Sequence, residues 1–192
     1  KTKVLTSRII HILTQKKAFP TQILAVTFTN KAAKEMLNRV TLSLKGNSKG
    51  MPWLGTFHSI SAKILRKHAM AVGLNSNFTI IDQDDQVRLI KNICKSENID
   101  IKKISPNFIL SIIDKWKNKG WYPNEVILKK NESLEKGFLK IYTIYQKKLV
   151  DLNACDFSDL ILHCVKIFEN NKDISEMYSK NFKYILVDEY QD

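Results

Sequence analysis

The sequence predicts an α/β protein: a parallel sheet drawn from the two ends of the chain, carrying a large, mainly α-helical insertion. Three observations point there. Residues 23–28, ILAVTF, are a continuous apolar run rich in β formers, as a strand buried on both faces of a parallel sheet requires. Thr29 and Asn30 follow as helix-start residues, and Ala32, Ala33, Met36, Leu37, Val40 and Leu44 then repeat at three and four, completing a strand–turn–helix unit. At the far end YILV (184–187) returns to strand texture, while the stretch between reads as helices.

The elements follow in order. Val4, Leu5, Ile9, Ile12 and Leu13 share one face of a helix over residues 3–15, and Pro20 breaks that pattern. After the unit at 23–44, KGNSKG (45–50) is a polar loop and residues 53–57 are a second strand. From His58 the texture turns helical, with Ile60, Ile64 and Leu65 on one face. FTIID (78–82) is a short β-like link, and Asp82 or Asp84 caps a helix that buries Val87, Leu89, Ile90, Ile93 and Cys94. Ser105, Pro106 and Gly120 punctuate a helix over 105–120. Helices over 135–150 and 156–168 and a short one around Met177 and Tyr178 complete the block. The domains expected are therefore residues 1–58 and 181–192 in one sheet unit, with 59–180 inserted.

Composition narrows the function classes. The chain has 192 residues and a formal charge of +12, an excess that favours polyanionic partners, nucleic acid first. Cys94, Cys155 and Cys164 form no CxxC pair and are odd in number, which argues against a disulfide framework or zinc site and for a reducing, cytoplasmic setting. His11, His58, His68 and His163 show no metal-ligand spacing. No apolar run approaches the ~18 residues of a membrane span, and no signal peptide is visible.

The residues that carry chemistry sit at the ends of the strands. YILV runs directly into Asp188 and Glu189. In nucleotide hydrolases such a strand ends at the ligand crevice, where one acid holds Mg²⁺ through its water shell and a second deprotonates the attacking water. Neighbouring side chains on a strand point to opposite faces, so both acids reach one site only where the chain turns. An ordinary strand followed by a solvated acidic loop fits the same four apolar residues. The usual partner of such a site, GxxxxGK followed by Ser or Thr, is incomplete here: the chain begins with Lys1 and Thr2. Trp116, Trp121 and Tyr122 read either as a nucleic-acid-facing cluster or as core, and Trp116, at helical spacing beside Ile112 and Ile113, as core. Asp156 and Asp159 in DFSDL read as helix caps.

KTKVLTSRI, ILAVTFTNKAAKEMLNRV, GTFHSISAKILR, DFSDLI and YILVDEYQD together resemble, in order and spacing, the UvrD/Rep/PcrA helicases of superfamily 1. The resemblance covers essentially the whole chain. It implies part of the first of two RecA-like motor domains, of the P-loop NTPase type, with its complete helical insertion. By the same resemblance the phosphate-loop glycines lie upstream of residue 1. The adenine-recognition segment, the γ-phosphate-sensing glutamine motif and the arginine fingers also lie outside these residues. The chain alone would be part of an ATPase rather than a competent one.

The family roles then transfer residue by residue. Lys1 resembles the lysine on the β- and γ-phosphates of ATP, and Thr2 the hydroxyl ligand of Mg²⁺. Asp188 resembles the acid of the Mg²⁺ shell, and Glu189 the general base. Gln191 and Asp192 complete the acidic motif as nucleotide-positioning or coupling residues. TFTNKAA resembles a single-stranded-DNA motif, with Phe28 as a stacking face, Thr29 and Asn30 as polar contacts at a helix start, and Lys31 as added charge. GTFHS resembles the second DNA motif, through Thr56 and His58. The implied function is an ATP-dependent 3′–5′ DNA helicase of repair or replication restart, acting on single strands and single/double-strand junctions. Two alternatives are the motor of a recombination helicase–nuclease and a DNA-binding relative without catalysis. Lys1, Asp188 and Glu189, which such a relative would be expected to lose, are all present.

Overall fold

The structure, a computed structural model, describes residues 2–44, 50–99, 104–128 and 133–191. Lys1, Asp192 and all but the last residue of the loop KGNSKG lie outside the described residues. In chain order the elements are α1 (Thr2–Thr14), β1 (Ile23–Thr27), α2 (Asn30–Ser43), β2 (Leu54–Thr56) and α3 (Phe57–His68). They continue with β3 (Thr79–Ile80), α4 (Gln83–Ser96), α5 (Pro106–Asn118), α6 (Ser133–Asp151) and β4 (Ala154–Cys155). The last are α7 (Phe157–Asn170), α8 (Lys172–Asn181) and β5 (Tyr184–Val187). The chain divides into two compact units, residues 1–63 with 168–192, and residues 64–167.

The first unit is built on a three-stranded parallel sheet of order β2-β1-β5. β1 pairs with β2 through Ala25–Leu54, Val26–Gly55 and Thr27–Thr56, and with β5 through Ile23–Tyr184 to Val26–Val187. α2 is the crossover that a parallel β1–β2 pair needs. Its start is set by Thr29, whose side chain accepts the Ala32 N–H at 3.1 Å. Ile9 and Ile12 of α1, Met36 and Val40 of α2, and Ile23 and Ala25 of β1 form its core. Each large side chain there contributes about 1.5–3 kcal/mol on burial.

Boundaries differ from the sequence expectation at the second strand and at both ends of the expected insertion, whose first residues, 59–63, fall in the sheet unit. The strand expected over 53–57 ends at Thr56, because the Thr56 hydroxyl accepts the Ser59 N–H at 3.2 Å and starts α3. Residues 168–180, placed by sequence with the insertion, cluster with the sheet unit. Tyr178 and Phe182 meet the Trp53 ring edge-on at 5.8 and 5.4 Å, and Phe168 meets Tyr178 at 5.6 Å. This aromatic cluster has no signature in local periodicity, since Trp53 and Tyr178 stand far apart in the chain.

The second unit is mainly helical. Ile90, Ile93 and Cys94 of α4, Ile109, Ile113 and Trp116 of α5, and Ile141, Tyr142, Tyr145 and Leu149 of α6 make its core. Asp82 caps α4 and Ser105 caps α5, with Pro106 at the first turn. Gly120 follows α5 at φ 77°, the left-handed position glycine favours. Trp116 is core, stacked on Tyr142. β3 pairs in parallel with β4, a partner too short for periodicity to reveal.

DFSDL does cap α7: Asp156 accepts the Asp159 N–H at 2.9 Å and Asp159 accepts the Asp156 N–H at 3.2 Å, a reciprocal capping box. The same carboxylates also hold a buried lysine. Lys117 Nζ lies 2.5 Å from Asp156 and 2.7 Å from Asp159, with all three side chains out of solvent. The Tyr145 hydroxyl donates to Asp156 and the Gln146 amide to Asp159. Burial pushes the Lys117 ammonium down, but the two carboxylates outweigh it and hold the group above its ordinary value. Burial, reinforced by Asp159, keeps the Asp156 carboxyl raised; for Asp159 burial is outweighed by Lys117 and His163, which leave it lowered.

His163 stands beside this cluster, its Nδ1 2.6 Å from the Tyr122 hydroxyl. Burial lowers its imidazole below the ordinary 6.5, and Asp159 only partly offsets this. The folded chain therefore takes up that proton at lower pH than the unfolded chain. Stability falls as pH drops below 6.5. The lowered Asp159 acts in the same sense below 3.8, whereas the raised Asp156 acts in the opposite sense, above 3.8. The full-length protein is expected to lose melting temperature between about pH 7 and about pH 5, and His163→Gln to flatten that slope. Equal slopes in the two proteins would remove His163 as the cause.

Candidate functional site

β1, β2 and β5 are parallel, so their carboxyl ends open onto one edge of the sheet, where open α/β sheets bind ligands. Thr27 and Phe28, Thr56 and Phe57, and Asp188 and Glu189 leave the three strands there. The sequence expectation thus places both candidate motifs and the acidic pair on the same edge of the same unit.

Asp188 is the anchor. Its N–H donates to the Val26 carbonyl at 2.9 Å, so it still belongs to the β5 ladder. The residue is 3% exposed. The Thr2 hydroxyl donates to Asp188 Oδ2 at 2.9 Å, across nearly the whole sequence, and the Thr27 hydroxyl lies 3.5 Å from the same oxygen. Thr6, also buried, donates to the Thr2 carbonyl at 2.8 Å and ties down the first turn of α1.

Glu189 follows directly after the ladder. Its backbone turns to φ 53°, the left-handed region that a non-glycine residue rarely adopts. The turn comes one residue after the ladder ends, so the two carboxylates need not alternate across the sheet. Such a conformation costs about 1–3 kcal/mol and concentrates at functional sites. The Gln191 side-chain amide donates to the Glu189 carboxylate. Asp188, Glu189 and Gln191 line an open cleft of ≈ 460 Å³ together with Leu5 and Arg8 of α1.

The donor set facing this cleft is hard oxygen: one carboxylate and one hydroxyl held 2.9 Å apart. That chemistry fits Mg²⁺, which takes one or two protein oxygens and completes its shell with water and phosphate. Among the described residues no group of three or more His, Cys, Asp or Glu is placed to hold a metal, so an all-protein cage is not on offer there.

The neighbouring stretch of the edge carries the other candidate residues. Phe28 is 50% exposed in the bend between β1 and α2, with its ring 5.2 Å from that of Phe57. Thr29, Asn30 and Lys31 are exposed around the start of α2. Thr56 is nearly buried, its hydroxyl engaged in starting α3, whereas His58 is half-buried. Burial lowers the His58 imidazole below 6.5, so it is neutral at neutral pH and able both to donate and to accept. Thr27 and Phe57 escaped the sequence reading. The register that sets Thr27 beside Asp188 is tertiary, but the repeated Thr-Phe in TFT and TFH was there to be seen.

The profile of the UvrD/REP helicase N-terminal domain matches residues 1–192. The chain is 47% identical over 195 residues to a probable DNA helicase II homolog of Rickettsia conorii and 47% identical over 196 residues to DNA helicase II of Rickettsia typhi, with 100% of this chain and 29% of each of those proteins covered. It is 43% identical over 192 residues to the ATP-dependent DNA helicase PcrA of Staphylococcus epidermidis and 42% identical to PcrA of Bacillus subtilis, covering 26% of each. The chain therefore spans under a third of the length of these relatives. No helix among the described residues is long and apolar enough to cross a membrane.

Proposed function

The chain belongs to the UvrD/REP helicase N-terminal domain family, and we propose that it forms part of an ATP-dependent DNA helicase that translocates 3′ to 5′ on single-stranded DNA. The observation that carries the reading is the meeting of Thr2 with Asp188 at the sheet's carboxyl edge, one residue before the left-handed turn at Glu189. The first unit is read as part of a RecA-like motor domain and the second as its helical insertion. Repair or replication restart in the cytoplasm is the process proposed.

In this reading Lys1 contacts the β- and γ-phosphates of ATP. Thr2 and Asp188 would hold Mg²⁺, which would supply neutralising charge beside the phosphates. Glu189 accepts the proton of the attacking water, and Gln191 orients the Glu189 carboxylate. Phe28 stacks on a base, while Thr29, Asn30, Lys31, Thr56 and His58 contact the strand around it. Stacking and phosphate contacts read no sequence, as translocation along any strand requires. The charge of +12 supports a nucleic-acid partner.

An unwinding assay on the full-length protein tests this. With ATP and Mg²⁺ it should separate a duplex bearing a 3′ single-stranded tail. Action on a 5′ tail alone would overturn the polarity. Binding to oligonucleotides should be insensitive to sequence and weaken steeply with salt. Phe28→Ala should weaken it by about 1–3 kcal/mol without changing the salt dependence. Unchanged affinity in a folded variant would remove the stacking role.

A further inference from the structure

We infer that Phe57 is a positioning residue for DNA binding: it braces the Phe28 ring in the plane against which a base stacks. The inference rests on the proposed stacking role of Phe28 and extends it to a residue in neither candidate contact set.

The geometry starts from the register. Thr27 of β1 lies opposite Thr56 of β2, and each threonine is followed by phenylalanine. Two Thr-Phe pairs thus leave neighbouring parallel strands at the same rung. Their rings meet with centroids 5.2 Å apart and planes tilted by 53°. That separation lies inside the favourable range for aromatic pairs, and the tilt is neither stacked nor fully edge-on.

The two rings are held unequally. Phe28 stands half exposed in a bend, where the backbone alone leaves its rotamer open. Phe57 is half-buried at the first position of α3. The first turn of α3 lies tight against β2: a Cβ at Gly55 would come within 2.5 Å of Ser59 Oγ and 3.3 Å of Ile60 Cδ1. Ile60 is buried and Ser59 is tied to Thr56 by two hydrogen bonds. Phe57 therefore projects from a turn with little room to shift. Contact with it restricts Phe28 before DNA arrives, which removes an ordering cost from binding.

The test uses the full-length protein and oligodeoxythymidylate carrying one 2-aminopurine. Anisotropy reads affinity, and quenching of the 2-aminopurine reads stacking. Phe57→Leu keeps bulk and loses the ring. It should lower affinity about 2- to 12-fold, the range an aromatic pair contributes, and reduce quenching. The salt dependence should stay as in the parent, because phosphate contacts are untouched. Phe57→Tyr should restore both readouts. In a Phe28→Ala background Phe57→Leu should cost nothing further, as two residues acting through one ring must show. Phe57→Met serves in its place should the leucine variant not fold. Parent affinity and quenching in Phe57→Leu, beside a loss in Phe28→Ala, would overturn the inference and leave the stacking role standing. An undiminished Phe57→Leu loss in the Phe28→Ala background would overturn it as well. No effect of Phe28→Ala itself would sink the stacking role, and the inference with it.

Discussion

Glu189→Gln in the full-length protein is expected to retain ATP and DNA binding while ATP hydrolysis falls by about 10²- to 10⁴-fold, the scale of a lost general base. The amide keeps the shape of the carboxylate and its hydrogen bond to Gln191 in reach, but has no basicity. The neighbouring acid should respond differently. Asp188 accepts from Thr2 and sits buried in the ladder, and in the proposed reading Asp188→Asn changes the metal's partner rather than the base. It should weaken Mg²⁺-dependent nucleotide binding as well as turnover, because a neutral amide is a poorer oxygen for a doubly charged cation. A nucleotide titration and a phosphate-release assay on both variants separate the roles. Hydrolysis at the parent rate in Glu189→Gln would remove it as the base.

Lys117→Met should destabilise the protein by about 3–5 kcal/mol, the effect of removing one partner from a buried ion pair. Two carboxylates, Asp156 and Asp159, would then face each other without their shared cation. The hydrogen bonds from Tyr145 and Gln146 remain, yet neither supplies a full positive charge. Adding Asp156→Asn and Asp159→Asn to Lys117→Met should recover much of the loss, since no buried charge is then left unpaired. Denaturant unfolding of the full-length protein, followed by far-ultraviolet circular dichroism, measures both changes. A loss below about 1 kcal/mol in the single variant would mean that water reaches the carboxylates.

Much of the fold was legible because it is written locally. The apolar run 23–28, the helix start at Thr29 and the period of α2 are short-range patterns, and β1 and α2 follow them. Asp82 and Ser105 cap their helices because a short oxygen-bearing side chain satisfies the first free N–H groups wherever it occurs. DFSDL was half legible. Its capping box spans three residues and could be read, whereas its lysine comes from α5, 39 residues before Asp156, with no pattern to announce it. The membership of residues 168–180 failed for the same reason: Trp53 decides it from the other end of the chain.

The candidate site divides along the same line. The family resemblance carried by Lys1-Thr2, TFTN, TFHS and DEYQ nominated the residues and implied a role for each; read without it, Phe28 reads as a core residue ending a strand and Lys1-Thr2 says almost nothing. The motifs did not bring Thr2 to 2.9 Å from Asp188, turn Glu189 into the left-handed region, or set Phe28 against Phe57. Those distances come from the parallel register of β1 with β2 and β5, and from the packing of α1 beside them. Helix and strand periods encode which face of an element is buried, a property of neighbours three or four residues apart. Which polar atoms meet across the sheet depends on chain segments up to 186 residues apart, and only the packed core brings those together.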